Sequence, residues 1–213
     1  MEIGNVELGI IEPSVQLLDQ VDGQAVLEKI ERCGRTCYKS EARISPGSAA
    51  KFVKGIIARG HGSVLEHAAI SMRVVCDRGV THELVRHRIA SFSQESTRYV
   101  RYTGRVEFIK PCFWAEGSAA YTAWLDACRA AANAYVHLLD IGASPQEARA
   151  VLPNSLKTEI VVTANLREWR HILGLRLAPA AHPQMRQVAR LMLAALQGAV
   201  PVVFDDLGDD RLG

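Results

Sequence analysis

The chain has 213 residues, 48% hydrophobic and 23% charged, with a formal net charge of only +2. That is the profile of a globular domain with a real core, and it excludes a protein that coats polyanions with its whole surface. Five cysteines at 33, 37, 76, 112 and 128, an odd number without a CxxC pair, argue against a disulfide framework and a structural zinc site. Glu2 and Glu7 sit where a leader would be apolar, and no stretch approaches the roughly 18 apolar residues of a spanning helix, so a cytoplasmic protein is expected.

Residues 6–11 read as an opening strand. Asp22 caps a helix through about Cys33, with Val26, Leu27 and Ile30 on one face. The turn 45–48 leads to a second helix, capped by Ser48 and stopped by Gly60. Residues 61–67 form a polar connection, and alternation of Ile70, Met72 and Val74 marks a half-buried strand. Thr81 caps a short helix, and 106–109 is a short strand. An alanine-rich helix runs over 118–139 and ends at Gly142. Ser144-Pro145-Gln146-Glu147 is a capping box that opens a helix ending before Pro153. β-branched residues 160–163 read as strand, and 165–175 and 184–196 as helices. The expected fold is α+β: one helix-rich domain over 1–204 with a small, mostly antiparallel sheet, followed by a frayed acidic tail, 205–213. Gly60-His61-Gly62 lacks the third glycine of a dinucleotide fingerprint and precedes a strand, so no Rossmann fold is expected.

Chemistry concentrates between Arg86 and Arg105, where five arginines share the segment with one acid, Glu95. Packing gives no reason for such a concentration, whereas a bound anion does. Guanidinium groups grip phosphates and planar imide edges with paired hydrogen bonds. Read as an extended run, 94–98 would point Gln94, Ser96 and Arg98 to one side. On a continuing helix, Arg86, His87 and Arg88 would fan over about 200°, so they serve one ligand only near a helix end or where subunits meet. His82-Glu83-Leu84-Val85-Arg86-His87 is not a zinc motif, because its histidines lie about 140° apart on a helix. Ser91, Ser93 and Ser96 lack a GxSxG elbow and read as ligand-binding hydroxyls. His61, Ser63, Glu66 and His67 on their own read as a capped loop, and Arg149 alone is unremarkable. On the helix from Asn165, positions 167, 171 and 175 share a face, with Trp169 and Ile172 toward the core.

The string RHRIASFSQESTRY, with RHR, seven residues and then serine, resembles the signature of the flavin-dependent thymidylate synthases. Residues 61–67 are similar to that family's upstream flavin segment, Ala148-Arg149 before Leu152-Pro153 to its ARxxLP, and Asn165-Leu166-Arg167 with His171, Leu175-Arg176 and His182 to its C-terminal segment. The resemblance implies methylation of dUMP to dTMP, with 5,10-methylenetetrahydrofolate as carbon donor and FAD reduced by NADPH. It also implies a homotetramer with active sites between subunits, and neither a metal, a nucleic acid nor a membrane as partner. It places Arg86, Gln94, Ser96, Thr97 and Arg98 on dUMP, with Glu83 and Glu95 in the same segments and Arg149 joining from another subunit. It places Arg86, His87, Arg88, Ile89 and Gln94 along FAD, with Ser63, Glu66, Asn165, Arg167, His171, Leu175 and His182. Arg176 meets the uracil edge as the catalytic electrostatic group, and Ser96 aligns the nucleotide.

Three positions depart from the pattern: Glu83 replaces a glutamine, Cys37 replaces a flavin-contacting serine, and the Arg176–His182 gap is long. The implied pairing of Glu83 is with an arginine, or else it turns away. A non-enzymatic nucleotide- or RNA-binding module on the same arginines is the alternative. None of the five cysteines has the setting that the cofactor-oxidising thymidylate synthases require.

Overall fold

The computed structural model describes residues 6–208. Two nine-residue strands form its centre. β3 (Ala69–Asp77) and β6 (Lys157–Asn165) alternate buried and more exposed side chains and pair antiparallel from Ala69↔Asn165 to Asp77↔Lys157. Period-two alternation buries one face of the sheet against helices. β2 (Ser14–Leu17) adds to β3 and β4 (Ser91–Gln94) to β6, both antiparallel, giving the order β2-β3-β6-β4. β1 (Glu7–Ile11) and β5 (Arg105–Ile109) form a separate parallel pair, joined to the rest by a Phe108–Leu156 bridge.

Helices α1 (Gly23–Thr36), α2 (Ser48–Ala58), α6 (Leu166–Arg176) and α7 (Pro183–Ala199) cover the larger sheet. They bring Leu27, Ile30, Val53, Ile56, Trp169, Ile172 and Met192 onto Met72, Val74, Ile160 and Val162 in one buried cluster. Each large apolar side chain buried there contributes about 1.5–3 kcal/mol. The Trp169 indole N–H donates to the Ile70 carbonyl at 3.0 Å, which locks α6 to β3. α4 (Ala119–Asp140) builds a second cluster with Val106, Phe108, Cys128, Ala132 and Leu156. α3 (Arg78–Leu84) and the single turn α5 (Pro145–Ala148) complete the set.

The helix-rich α+β architecture with a small antiparallel sheet is the expected one, and among the described residues no helix is long and apolar enough to cross a membrane. Asp22 caps its helix as expected, accepting from Ala25 N, and Ser118 and Asn165 cap α4 and α6 by accepting from Tyr121 N and Glu168 N. Both bonds of the Ser144–Glu147 capping box form, and Gly142 adopts φ 98° past the end of α4.

Two expected caps are corrected. Asp77, not Thr81, caps α3 by accepting from Val80 N at 2.7 Å, and the Thr81 hydroxyl instead donates to the Arg78 carbonyl. Gly47 occupies the cap of α2 at φ 79°, which frees the Ser48 hydroxyl to donate to buried Glu31. Residues 61–67 are more ordered than a loop: Gly62–His67 is a 3-10 helix. In the acidic tail, Asp206 accepts two hydrogen bonds from Arg170, and Leu207 packs on the core. Residues 209–213, the rest of the segment expected to fray, lie outside the described residues.

Candidate active site

α3 stops at Leu84, so Arg86, His87 and Arg88 lie in the turns beyond a helix rather than around one. Their side chains consequently diverge in burial. Arg86 and Arg88 are exposed, as is Ile89, whereas His87 is 4% exposed. His87 reaches the last turn of α6, where its Nε2 accepts from Arg176 Nε at 3.0 Å. The rest of the Arg176 guanidinium is held by Glu83, with NH1 donating to Glu83 Oε2 at 2.7 Å and NH2 to the Glu83 carbonyl at 2.9 Å. Glu83 therefore pairs with an arginine, the expected compensation for a carboxylate at that position. Burial first, then the positive charge of Arg176 and the nearness of His171, push the His87 pKa down from 6.5 to about 4. The imidazole is neutral at physiological pH, and Arg176 retains donors for a further acceptor.

A second basic centre lies at the other end of α3. Thr97 is buried and its hydroxyl accepts from Arg149 NH1 at 3.1 Å. Arg149 and Thr97 meet within one chain, because the turn after α5 lies over the 96–99 turn. The extended run expected through Arg98 is corrected. β4 ends at Gln94, and Tyr99 N and Val100 N both donate to the Ser96 carbonyl, closing a turn. Arg98 is exposed, lies over the Tyr99 ring, and donates its backbone N–H to Ser96 Oγ. Gln94 turns inward and donates to Thr81 and Thr158, so it braces β4 against α3. Glu95 accepts from the Tyr102 hydroxyl and from Lys157, and the segment's one acid is thereby neutralised.

Arg78, the first residue of α3, was missed in the sequence. It lines a cavity of about 220 Å³ with Thr97, Arg149 and Asn154, and its NH1 is enclosed without a hydrogen-bond partner. A guanidinium N–H group enclosed without an acceptor is costly, and an anion between Arg78 and Arg149 would remove that cost. The signal available in the sequence was the Asp77-Arg78 pair at the end of an alternating strand, which is weak.

A wider cleft of about 930 Å³ opens between α1, α2 and the 3-10 helix. Arg35, Arg43, Arg59, Arg167, His61 and Ser63 line it, and no carboxylate does. Arg167 donates to Glu66 at 2.6 Å and lies so close to Gly62 that a Cβ there would stand 3.2 Å from its Nε. Cys37 lines the same cleft, in keeping with a position where a hydroxyl is otherwise expected. Arg167, His171 and Leu175 are exposed on one face of α6, while Trp169 and Ile172 are buried, as the periodicity requires. Asn165 spends its side-chain oxygen on the helix cap, leaving its amide N–H groups as donors. His182 does not lie in this cleft: it caps α7 through Gln184 N and packs edge-on against Phe113 beside a cavity of about 460 Å³ that Glu83 also lines.

This chain matches the family profile described as thymidylate synthase complementing protein over residues 16–202. The flavin-dependent thymidylate synthase of Mycolicibacterium gilvum (strain PYR-GCK) is 39% identical over 211 residues, covering 91% of this chain and 84% of its own. The chain belongs to the flavin-dependent thymidylate synthase family. A family member from Geobacter sulfurreducens is 37% identical over 182 residues, covering 82% of this chain and 78% of its own. Among solved structures, a UMP/dUMP methylase, PolB from Streptomyces cacaoi bound with 5-Br dUMP, superposes with a TM-score of 0.77 at 27% identity, covering 94% of this chain and 96% of the other.

Proposed function

We propose that the protein methylates dUMP to dTMP, taking the methylene carbon from 5,10-methylenetetrahydrofolate and an electron pair from NADPH, and releasing tetrahydrofolate and NADP⁺. The observation that carries this reading is the Arg176 guanidinium, fixed by Glu83 and His87 at the end of α6 in a chain of this family. Uracil must gain electron density at C5 before it can attack an electrophilic carbon. A guanidinium on the imide edge favours the form in which N3 has lost its proton, where charge develops. Arg78, Thr97 and Arg149, with Arg98 and Arg86 nearby in sequence, suit the 5′-phosphate. No histidine or carboxylate bonds the Ser96 hydroxyl among the described residues, and Ser96 instead tightens the turn at Arg98. That supports an aligning hydroxyl rather than a nucleophile.

The arginine-lined cleft beside Ser63 and Arg167, with Arg35 and Arg167 steadied by Glu31 and Glu66, fits the phosphate-bearing half of FAD, and Gly62 lets Arg167 lie close against the cleft wall. When bound, FAD supplies two-electron transfer from NADPH to the transferred carbon. His171 and Leu175 are exposed on the same face of α6 as Arg167, with His87 packed edge-on beneath His171, and Arg88 and Ile89 are exposed for the same ring or for a neighbouring subunit. A homotetramer in the cytoplasm, with sites shared between subunits, accounts for exposed Val85, Ile89, Tyr99 and Leu175. The alternative of a nucleic-acid surface loses one of its cations: Arg105 is paired with Glu7 and Glu107.

The test is direct. Purified protein is expected to be yellow, and its flavin absorbance to bleach on anaerobic addition of NADPH. Colourless protein that takes up no FAD would overturn the proposal.

A further inference from the structure

Glu168 is a buried acid for which neither the family resemblance nor the helix-capping pattern provides a role. It is the third residue of α6, and Asn165-x-x-Glu168 reads as a capping box. Only half of that box forms. Asn165 Oδ1 accepts from Glu168 N, but the Glu168 carboxylate does not return the bond. The carboxylate instead points into the protein, 5% exposed, with Oε1 at 3.8 Å from His87 Nδ1.

The hydrogen bonds of His87 fix its tautomer. Arg176 Nε–H can only donate, so His87 Nε2 must carry the lone pair. The single proton of the neutral ring then resides on Nδ1, the nitrogen that faces Glu168. At 3.8 Å the contact is an electrostatic one, and a shift of under about 1 Å closes it to a hydrogen bond.

We propose that Glu168 is a positioning residue that acts through His87. It holds the Nδ1–H tautomer and the ring orientation, so that Nε2 receives Arg176 Nε and the guanidinium is aimed at the substrate edge. Glu168, His87 and Arg176 thus form a chain from a buried carboxylate to the group that meets the uracil. The groups facing His87 are Glu168, His171 and Arg176, all from α6, with Glu83 of α3 acting on it through Arg176. His87, Glu168 and His171 also bring ligand atoms within 4.8 Å of one another. A cation is a poor occupant there, since it would have to settle beside a guanidinium already bonded to the same imidazole.

The inference rests on the proposed function, and a double-mutant cycle tests it. Steady-state dTMP formation is measured for wild type, Glu168→Leu, Glu168→Gln, His87→Asn and Glu168→Leu/His87→Asn, together with the flavin absorbance and the thermal midpoint of each. Glu168→Leu is expected to lower kcat roughly 10- to 100-fold, as for a misplaced catalytic group, with the KM for dUMP and the flavin content nearly unchanged. Glu168→Gln keeps an acceptor for Nδ1–H and is expected to recover most of kcat. The double variant should be no slower than His87→Asn, because both changes break one chain. Additive losses, or unchanged kcat in Glu168→Leu, would overturn the inference. If Glu168→Leu does not fold, loss of kcat in Glu168→Gln equal to that in His87→Asn overturns it as well. Wild-type protein that forms no dTMP would instead remove the functional reading beneath it.

Discussion

Glu83→Gln isolates the most unusual feature of the site. Glu83 Oε2 lies 2.7 Å from Arg176 NH1, with side chains 30% and 18% exposed. Two unit charges about 4 Å apart attract by about 4 kcal/mol in surroundings of this kind. Desolvation and lost side-chain freedom cancel much of that, leaving about 1.5–3 kcal/mol for a charge-assisted hydrogen bond. Glutamine preserves shape and an acceptor but not the charge, so the substitution should weaken the hold on Arg176 by about 1–2 kcal/mol. An imide edge that approaches the same guanidinium then meets a charge less committed to Glu83 and binds more tightly. The dissociation constant for dUMP is expected to fall roughly 5- to 30-fold, with each 1.4 kcal/mol worth tenfold. Calorimetric titration of dUMP into the flavin-loaded protein reads this directly, and a thermal melt should show a slightly less stable fold. Unchanged or weaker dUMP binding would refute the reasoning, because the commitment of Arg176 to Glu83 would then not limit its hold on the substrate.

Two further outcomes follow from the same geometry. His87 has its pKa lowered from 6.5 to about 4 in the folded protein. Below about pH 6.5 the unfolded chain takes up a proton that the folded one refuses, so this group's contribution is complete above pH 6.5 and lost as pH falls toward 4. The loss is at most about 3–4 kcal/mol, and urea unfolding of wild type against His87→Gln should show a stability gap that narrows over that window. A gap independent of pH would contradict a neutral buried imidazole. Arg78→Met should raise the KM for dUMP roughly 10- to 100-fold without lowering the thermal midpoint, since the enclosed NH1 has no protein partner to lose. An unchanged KM would remove Arg78 from the phosphate site.

What was legible in the sequence was local. Asp22 and the Ser144–Glu147 box announced their helices because a cap and its orphan N–H lie within three residues. The alternation of β3 was equally readable. β2 was not, because it is a four-residue edge strand after Pro13 with only Val15 and Leu17 facing inward, and its identity comes from pairing with β3. The parallel β1–β5 pair depends on Glu7 meeting Arg105, which no local pattern specifies. The same limit applies at the site. A stripe of Arg167, His171 and Leu175 could be read from helical spacing, but Arg176 meeting His87 and Glu83 required β3 and β6 to bring α3 and α6 together. Arg78 and Glu168 escaped notice because each looks ordinary in sequence and becomes unusual only through enclosure.

The central claim is that Arg176 supplies the charge that activates the uracil while contributing little to holding the flavin. The decisive measurement is dTMP formation by flavin-loaded Arg176→Ala, beside its visible absorbance and its reduction by NADPH. A yellow protein is expected, one that NADPH still reduces but whose dTMP formation falls by at least about 100-fold. Full dTMP formation in that variant would contradict the claim.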